Sequence, residues 1–186
     1  DRDSLRTSFE DIDLVVNSFA GPFTGIPLDV PEVALECGVH YADVAGAFDY
    51  SDRLLDLSGR AQEKGLTFIT GLGANPCLAS LLITREASRL DSLDNAHIYF
   101  VIGTMAGDAF STASLMEAAL MQQQTTLAWN GSEWIPPQSS SLSIRLDEPL
   151  NRKVMLAPLF TRDLLCLPTI TGVKEITAWN GAASLL

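Results

Sequence analysis

The stretch from Leu14 to Asp43 constrains what this chain can fold into more than any other. Leu14-Val15-Val16 is a short apolar run that opens onto Asn17-Ser18-Phe19-Ala20-Gly21-Pro22-Phe23, and Gly38-Val39-His40-Tyr41-Ala42-Asp43 leads into a second strand. Between them, Asp29 and Glu32 have the spacing of a capping box. Pro31 falls in a first turn, where its missing N–H costs nothing. The spacing therefore predicts a helix from about Val30 to Cys37, ended by Gly38 as a left-handed cap. Strand, helix and strand in this order make a βαβ crossover on a parallel sheet. Such sheets bind ligands beyond the carboxyl ends of their strands, where Asn17, Ser18 and Asp43 stand. Gly21 frees the backbone to turn and Pro22 fixes its direction. On spacing alone, an ordinary tight turn explains that loop equally well.

On either side of this unit the pattern continues. Leu5, Phe9 and Ile12 are spaced near helical periodicity, so 1–13 reads as a short helix or loop feeding the first strand. That strand, Leu14 to Ser18, carries β-branched residues and runs uninterrupted, as expected where helices cover both faces. Val39, Tyr41 and Val44 form a second strand with Asp43 near its end. Asp43 suits a turn or cap carboxylate slightly better than a catalytic one. Ser51 is placed to cap a helix with Leu54, Leu55, Leu57 and Ala61 as its buried stripe and Gly65 at its end. Leu66 to Thr70 reads as a third strand. Gly71-Leu72-Gly73-Ala74 is then a small-residue loop, and Asn75 with Pro76 gives a cap-plus-first-turn start to a helix running to about Leu90. A two-glycine loop before a helix can hold an anion, but G-x-G-x-x-G is incomplete here.

From His97 the character changes. Ile98 to Ile102 reads as a strand and Ser111 to Gln123 as an amphipathic helix, and Thr125–Trp129 and Glu133–Ile135 flank an Asn130-Gly131 hairpin turn. Ser141–Leu146, Lys153–Leu156 and Val173–Trp179 read as further strands, and Pro136 to Ser141 as an extended surface connection. The expected architecture is α/β: a partial Rossmann-like parallel sheet over 1–75, followed over 76–186 by an α+β module with a mostly antiparallel sheet. Trp129, Trp134 and Trp179 suit core or cross-strand packing better than a pocket wall. His97 reads as structural. Arg152, Lys153, Arg162 and Lys174 are the scarce cations of the second half. Arg162 is the candidate for a substrate carboxylate, although a solvated side chain is the stronger reading for all four.

Charge narrows the partners. A formal net charge of −11 disfavours nucleic acid and anionic membrane surfaces. Cys37, Cys77 and Cys166 lie far apart with no metal-ligand spacing, and there are two histidines, so no metal site is expected and reduced thiols in a cytoplasmic setting are. No apolar run approaches a membrane span, and the first residues do not resemble a signal peptide. With no G-x-S-x-G elbow and no Cys–His pairing, a hydrolase ranks last.

The run VVNSFAGPF…ALECGVHYADVAG…AQEKGLTFITGLGANPCLASLL resembles the saccharopine dehydrogenase family of nicotinamide-dependent oxidoreductases, over roughly the first half of the chain. Three separated pieces carry the likeness: Asn17 with Gly21-Pro22-Phe23; Gly38-Val39-His40-Tyr41 with Asp43; and Gly71-Leu72-Gly73 with Asn75-Pro76. The resemblance implies hydride exchange between NAD or NADP and a carbon–nitrogen bond of an amino-acid-like substrate. It implies cofactor contacts at Asn17, Ser18, Gly21, Pro22, Phe23, Gly71, Gly73 and Asn75; Asp43, and Arg162 from outside the resembling stretch, are the catalytic candidates. A family member would begin with a strand and a Gly-rich phosphate loop, and neither precedes Leu14. The chain therefore reads as a piece or truncated relative, with an open apolar edge at 14–18 that favours a homodimer. The competing expectation is a non-catalytic α/β module for ligand sensing or subunit assembly.

Overall fold

The computed structural model describes residues 1–18, 27–46, 48–104, 125–148 and 151–184. Gly21, Pro22, Phe23 and the expected helix over Ser111–Gln123 lie outside them. The chain divides into two compact units, Asp1–Leu78 and Ala79–Leu186.

The first unit is built on a three-stranded parallel sheet in the order β1 (Leu14–Asn17), β2 (His40–Asp43), β3 (Phe68–Ile69). Helix α1 (Arg2–Ser8) precedes β1, α2 (Asp29–Cys37) connects β1 to β2, and α3 (Phe48–Leu55) and α4 (Ser58–Glu63) connect β2 to β3. Leu14 pairs with His40, Val16 with Ala42, Asn17 with Asp43, and Tyr41 with Phe68. Side chains alternate across a strand. One sheet face therefore presents Val15, Tyr41 and Phe68, and these pack with Val33, Leu35, Leu54, Leu57 and Ala61 into one core. Burying a side chain such as Leu35 stabilises the unit by roughly 1.5–3 kcal/mol.

The other face departs from expectation. Leu14 is 51% exposed, Val16 64% and Ile69 42%. The helices that pack in this core cover one face of the sheet, so β1 is half-covered and not buried on both sides. An apolar run of three residues cannot distinguish the two cases, because its outward Leu14 and Val16 are as apolar as its inward Val15.

Local chemistry corrects three more expectations. Asp29 and Glu32 do not form a capping box: α2 begins after Leu28 with no side-chain cap. Both carboxylates are drawn to Arg2, with Nη1 donating to Asp29 at 3.1 Å and to Glu32 at 2.7 Å, and Nη2 donating to Glu36 at 2.6 Å. Ser51 lies inside α3 and does not cap it, and Leu55 is 48% exposed because the chain turns at Leu57 into a separate α4. Asn75-Pro76 does not start a helix either. Its peptide bond is cis, and α5 spans only Leu78–Ala87. Gly38 does close α2 in the left-handed conformation at φ 78°.

The second unit holds a six-stranded sheet around β9 (Glu175–Ser184). β4 (Asn95–Thr104) runs parallel to β9 along its whole length. On the other edge β5 (Ala128–Trp129) and β8 (Lys153–Pro158) pair antiparallel to it in turn, extended by β6 (Trp134–Ile135) and β7 (Leu142–Arg145). A 3₁₀ turn, Arg162–Cys166, and α6 (Leu167–Thr171) precede β9. The chain is thus α/β, with a parallel three-stranded sheet and a separate, mostly antiparallel one. The hairpin forms as expected: Asn130 Oδ1 accepts from the backbone N–H of Ser132 at 3.0 Å and of Glu133 at 2.9 Å, and Gly131 takes φ 98°. A side chain at Gly131 would meet Lys174 O at 3.1 Å. Among the described residues no helix is long and apolar enough to cross a membrane.

Candidate functional site

Three parallel strands end on the same side of the first unit, and their polar residues gather there. Asn17 and Asp43 are register partners at the ends of β1 and β2. Asn17 Nδ2 donates to Tyr41 Oη at 3.1 Å, and Tyr41 Oη lies 2.7 Å from Tyr50 Oη of α3. Both phenols are buried, and that burial pushes their pKa values above the ordinary tyrosine range, with the Asp43 charge acting in the same direction. They remain neutral hydrogen-bonding groups at physiological pH.

Asp43 is 1% exposed. Its Oδ1 accepts three hydrogen bonds: from Ala45 N at 2.9 Å, Thr70 Oγ1 at 2.8 Å and Gly71 N at 3.1 Å. It thereby closes its own turn and ties β2 to the segment after β3. Leu72 N adds a bond to Asp43 O at 2.8 Å. Asp43 Oδ2 and Asn75 Nδ2 are both buried and have no hydrogen-bond partner among the described residues. Such atoms cost free energy unless something meets them.

The Gly71–Asn75 segment bends tightly over this corner. Gly71 has φ 79°, and a Cβ there would stand 3.1 Å from the Pro76 ring and 3.6 Å from Ala45 O. Glycine meets both demands, since it adopts positive φ without strain and lets backbones approach closely. Gly73 lies beside Val44 O and forms an isolated bridge with Cys77.

The structure thus brings Asn17, Asp43, Gly71, Gly73 and Asn75 to one corner. Ser18 follows β1 as an exposed residue. Arg162 belongs to the second unit, at the start of its 3₁₀ turn. Two residues of the corner were not legible as such. Tyr50 lies just ahead of the Leu54, Leu55, Leu57 and Ala61 stripe and is not singled out by the sequence, and its hydroxyl contact with Tyr41 has no local signal. Thr70 reads as a strand residue, whereas it follows β3 and its hydroxyl serves Asp43.

No protein family matches the chain by sequence. Among solved structures it is similar to a candidate oxidoreductase of Yersinia pestis, YPO2259, with a TM-score of 0.47 and 13% identity over 97% of this chain and 49% of that one. It is also similar to the candidate oxidoreductase yvaA of Bacillus subtilis, with a TM-score of 0.45 and 10% identity over 98% and 49%. A third is the biliverdin reductase of Synechocystis sp. PCC 6803 in complex with biliverdin and NADP+, with a TM-score of 0.44 and 14% identity over 100% and 56%. The chain spans about half the length of the structures it matches. The functional reading rests on the chain's own residues.

Proposed function

We propose that this chain carries the strand-end part of the cofactor crevice of an NAD(P)-linked oxidoreductase of the saccharopine dehydrogenase type, acting at a carbon–nitrogen bond of an amino-acid-like substrate. The observation that carries the proposal is the convergence of Asn17, Asp43, Gly71 and Asn75 at the carboxyl ends of parallel strands, with a buried acceptor and a buried donor left unpartnered.

These groups suit the nicotinamide and ribose end of a dinucleotide. Asn75 Nδ2 offers a donor to a carbonyl or hydroxyl oxygen, and Asp43 Oδ2 offers an acceptor to a hydroxyl or amide proton. Gly71 keeps the turn free of a side chain. The pyrophosphate is less well served, since Pro76 stands where a third glycine would complete the phosphate loop. When bound, the cofactor supplies the hydride. The protein's part is positional. Asp43 locks the two loops together, and the Asn17–Tyr41–Tyr50 chain orients an amide without giving up a proton. Arg162 is the cation proposed for a substrate carboxylate. Self-association through the edge strand β1, with Leu14 and Val16 outward, belongs to the same proposal.

A titration with NADPH and with NADH tests the reading, following nicotinamide fluorescence together with thermal stability. Saturable binding in the micromolar range with a raised melting temperature is the expected result. No binding at millimolar cofactor would favour the second reading, a non-catalytic α/β module. That alternative is supported by Asp43, whose Oδ1 is wholly engaged in holding the fold. Light scattering after size exclusion checks self-association, and a monomer at high micromolar concentration would refute it.

A further inference from the structure

We infer that the second unit holds a binding site for a small organic cation with an aromatic body, an arylalkylamine in chemical class, between the segment after β6 and the first half of β9. A cavity of about 300 Å³ opens there, within the size range of small-molecule sites. Glu175, Thr177 and Trp179 alternate along one face of β9 and line one side, while Pro136, Pro137 and Gln138 line the other. Trp129 completes the wall. Its Nε1 donates to Val173 O at 3.1 Å, its ring stands 5.6 Å from that of Trp134, and Trp134 stands 5.2 Å from Phe160. The aromatic wall is therefore fixed before any ligand arrives.

Charge selects the ligand. Among the described residues, Glu175 is the one charged side chain lining the cavity, and no lysine or arginine lines it. The neighbouring Lys174 turns instead to Asp94, with Nζ 2.6 Å from its Oδ1. An anion would meet only repulsion here, whereas an ammonium group can bond to Glu175 while its aromatic body lies against indole and proline rings. Thr177 is already engaged, its hydroxyl 2.8 Å from His97 Nδ1, so Glu175 is the group left to take the charge.

The test uses phenethylamine and its uncharged counterpart phenethyl alcohol on the whole chain, with the indole N–H resonances of the three tryptophans as readout. Phenethylamine should saturably shift Trp129 and Trp179, and the alcohol should bind more weakly. Glu175→Gln should weaken the amine roughly fivefold, the share of an exposed ion pair, and leave the alcohol unchanged. Glu175→Lys should abolish amine binding. Should either variant alter the free spectrum, the wild-type salt dependence decides, because affinity for a cation held by an exposed carboxylate falls as salt rises. Equal binding of amine and alcohol, indifference to salt, or no saturable shift at millimolar amine would each overturn the inference. None of these readouts involves a nicotinamide, so the outcome is independent of the cofactor proposal.

Discussion

Replacing Asp43 with alanine removes the acceptor on which the strand-end corner is tied. Hydrogen bonds to a charged group contribute about 1.5–3 kcal/mol each, and Asp43 Oδ1 accepts three. A full sum overstates the loss, because bonds sharing one oxygen are not independent. Ala45 is only half-buried, so water can satisfy its N–H once the carboxylate is gone. The change also removes Oδ2, a buried oxygen without a partner, which offsets about 1–3 kcal/mol. What remains is dominated by the buried Gly71 N–H and the Thr70 hydroxyl, about 2–3 kcal/mol once that offset is taken. Asp43→Asn keeps an acceptor oxygen in place but removes its charge, and should cost about half as much. Native-state hydrogen exchange at the Tyr41 amide, which donates to Thr67 O at 3.0 Å, reads the loss within the sheet. Protection unchanged to within about 1 kcal/mol in the alanine variant, or a larger loss for asparagine than for alanine, would refute the assignment of Asp43 as the tie.

Four further outcomes follow from the same geometry. Because folding raises the pKa values of Tyr41 and Tyr50, the unfolded chain loses these protons first, so stability is at its full value below about pH 10 and falls above it by up to about 1.4 kcal/mol per pH unit for each phenol. Alkaline unfolding followed by phenolate absorbance should show these two ionising only as the fold is lost. Glu36 is shifted the other way: hydrogen bonds from Arg6 and Arg2 lower its pKa, so its contribution is present above the usual carboxylate range and lost as pH falls. Arg2→Ala should flatten that acid limb in a melting-temperature profile. Gly181→Ala would set a Cβ 2.6 Å from Leu156 Cδ2 and 2.7 Å from Met155 O, and should destabilise the second unit by about 1–3 kcal/mol in urea titration read by tryptophan fluorescence. Leu35→Ala, at a fully buried position of α2, should cost about 2–5 kcal/mol.

Legibility in the sequence tracked whether the deciding interaction was local. Gly38 and the Asn130-Gly131 hairpin were readable because a left-handed cap and a tight turn are decided within a few residues. The parallel character of this sheet followed from the succession of strand, helix and strand. The capping box failed because Arg2, 27 residues from Asp29, outcompetes the backbone for its carboxylate. Tyr41 was readable as a residue of the second strand beside Asp43, yet its contact with Tyr50 depends on how α3 docks, and spacing encodes nothing of that. Likewise Glu175 and Thr177 read as ordinary strand residues. The cavity beside them exists only once the Pro136–Ser139 segment lies against β9.

The arrangement around β9 also dictates an order of assembly. Two hairpins of the second unit, β5–β6 and β7–β8, close over short loops and can form early. Their common docking partner comes later in the chain, and β4 must wait for a strand about 80 residues away before its own backbone is paired. Contacts that distant slow folding, since loop-closure entropy is spent before any bond repays it. Until β9 arrives, three strand edges stand open together, and that interval is when this chain is most exposed to pairing with its neighbours instead of itself.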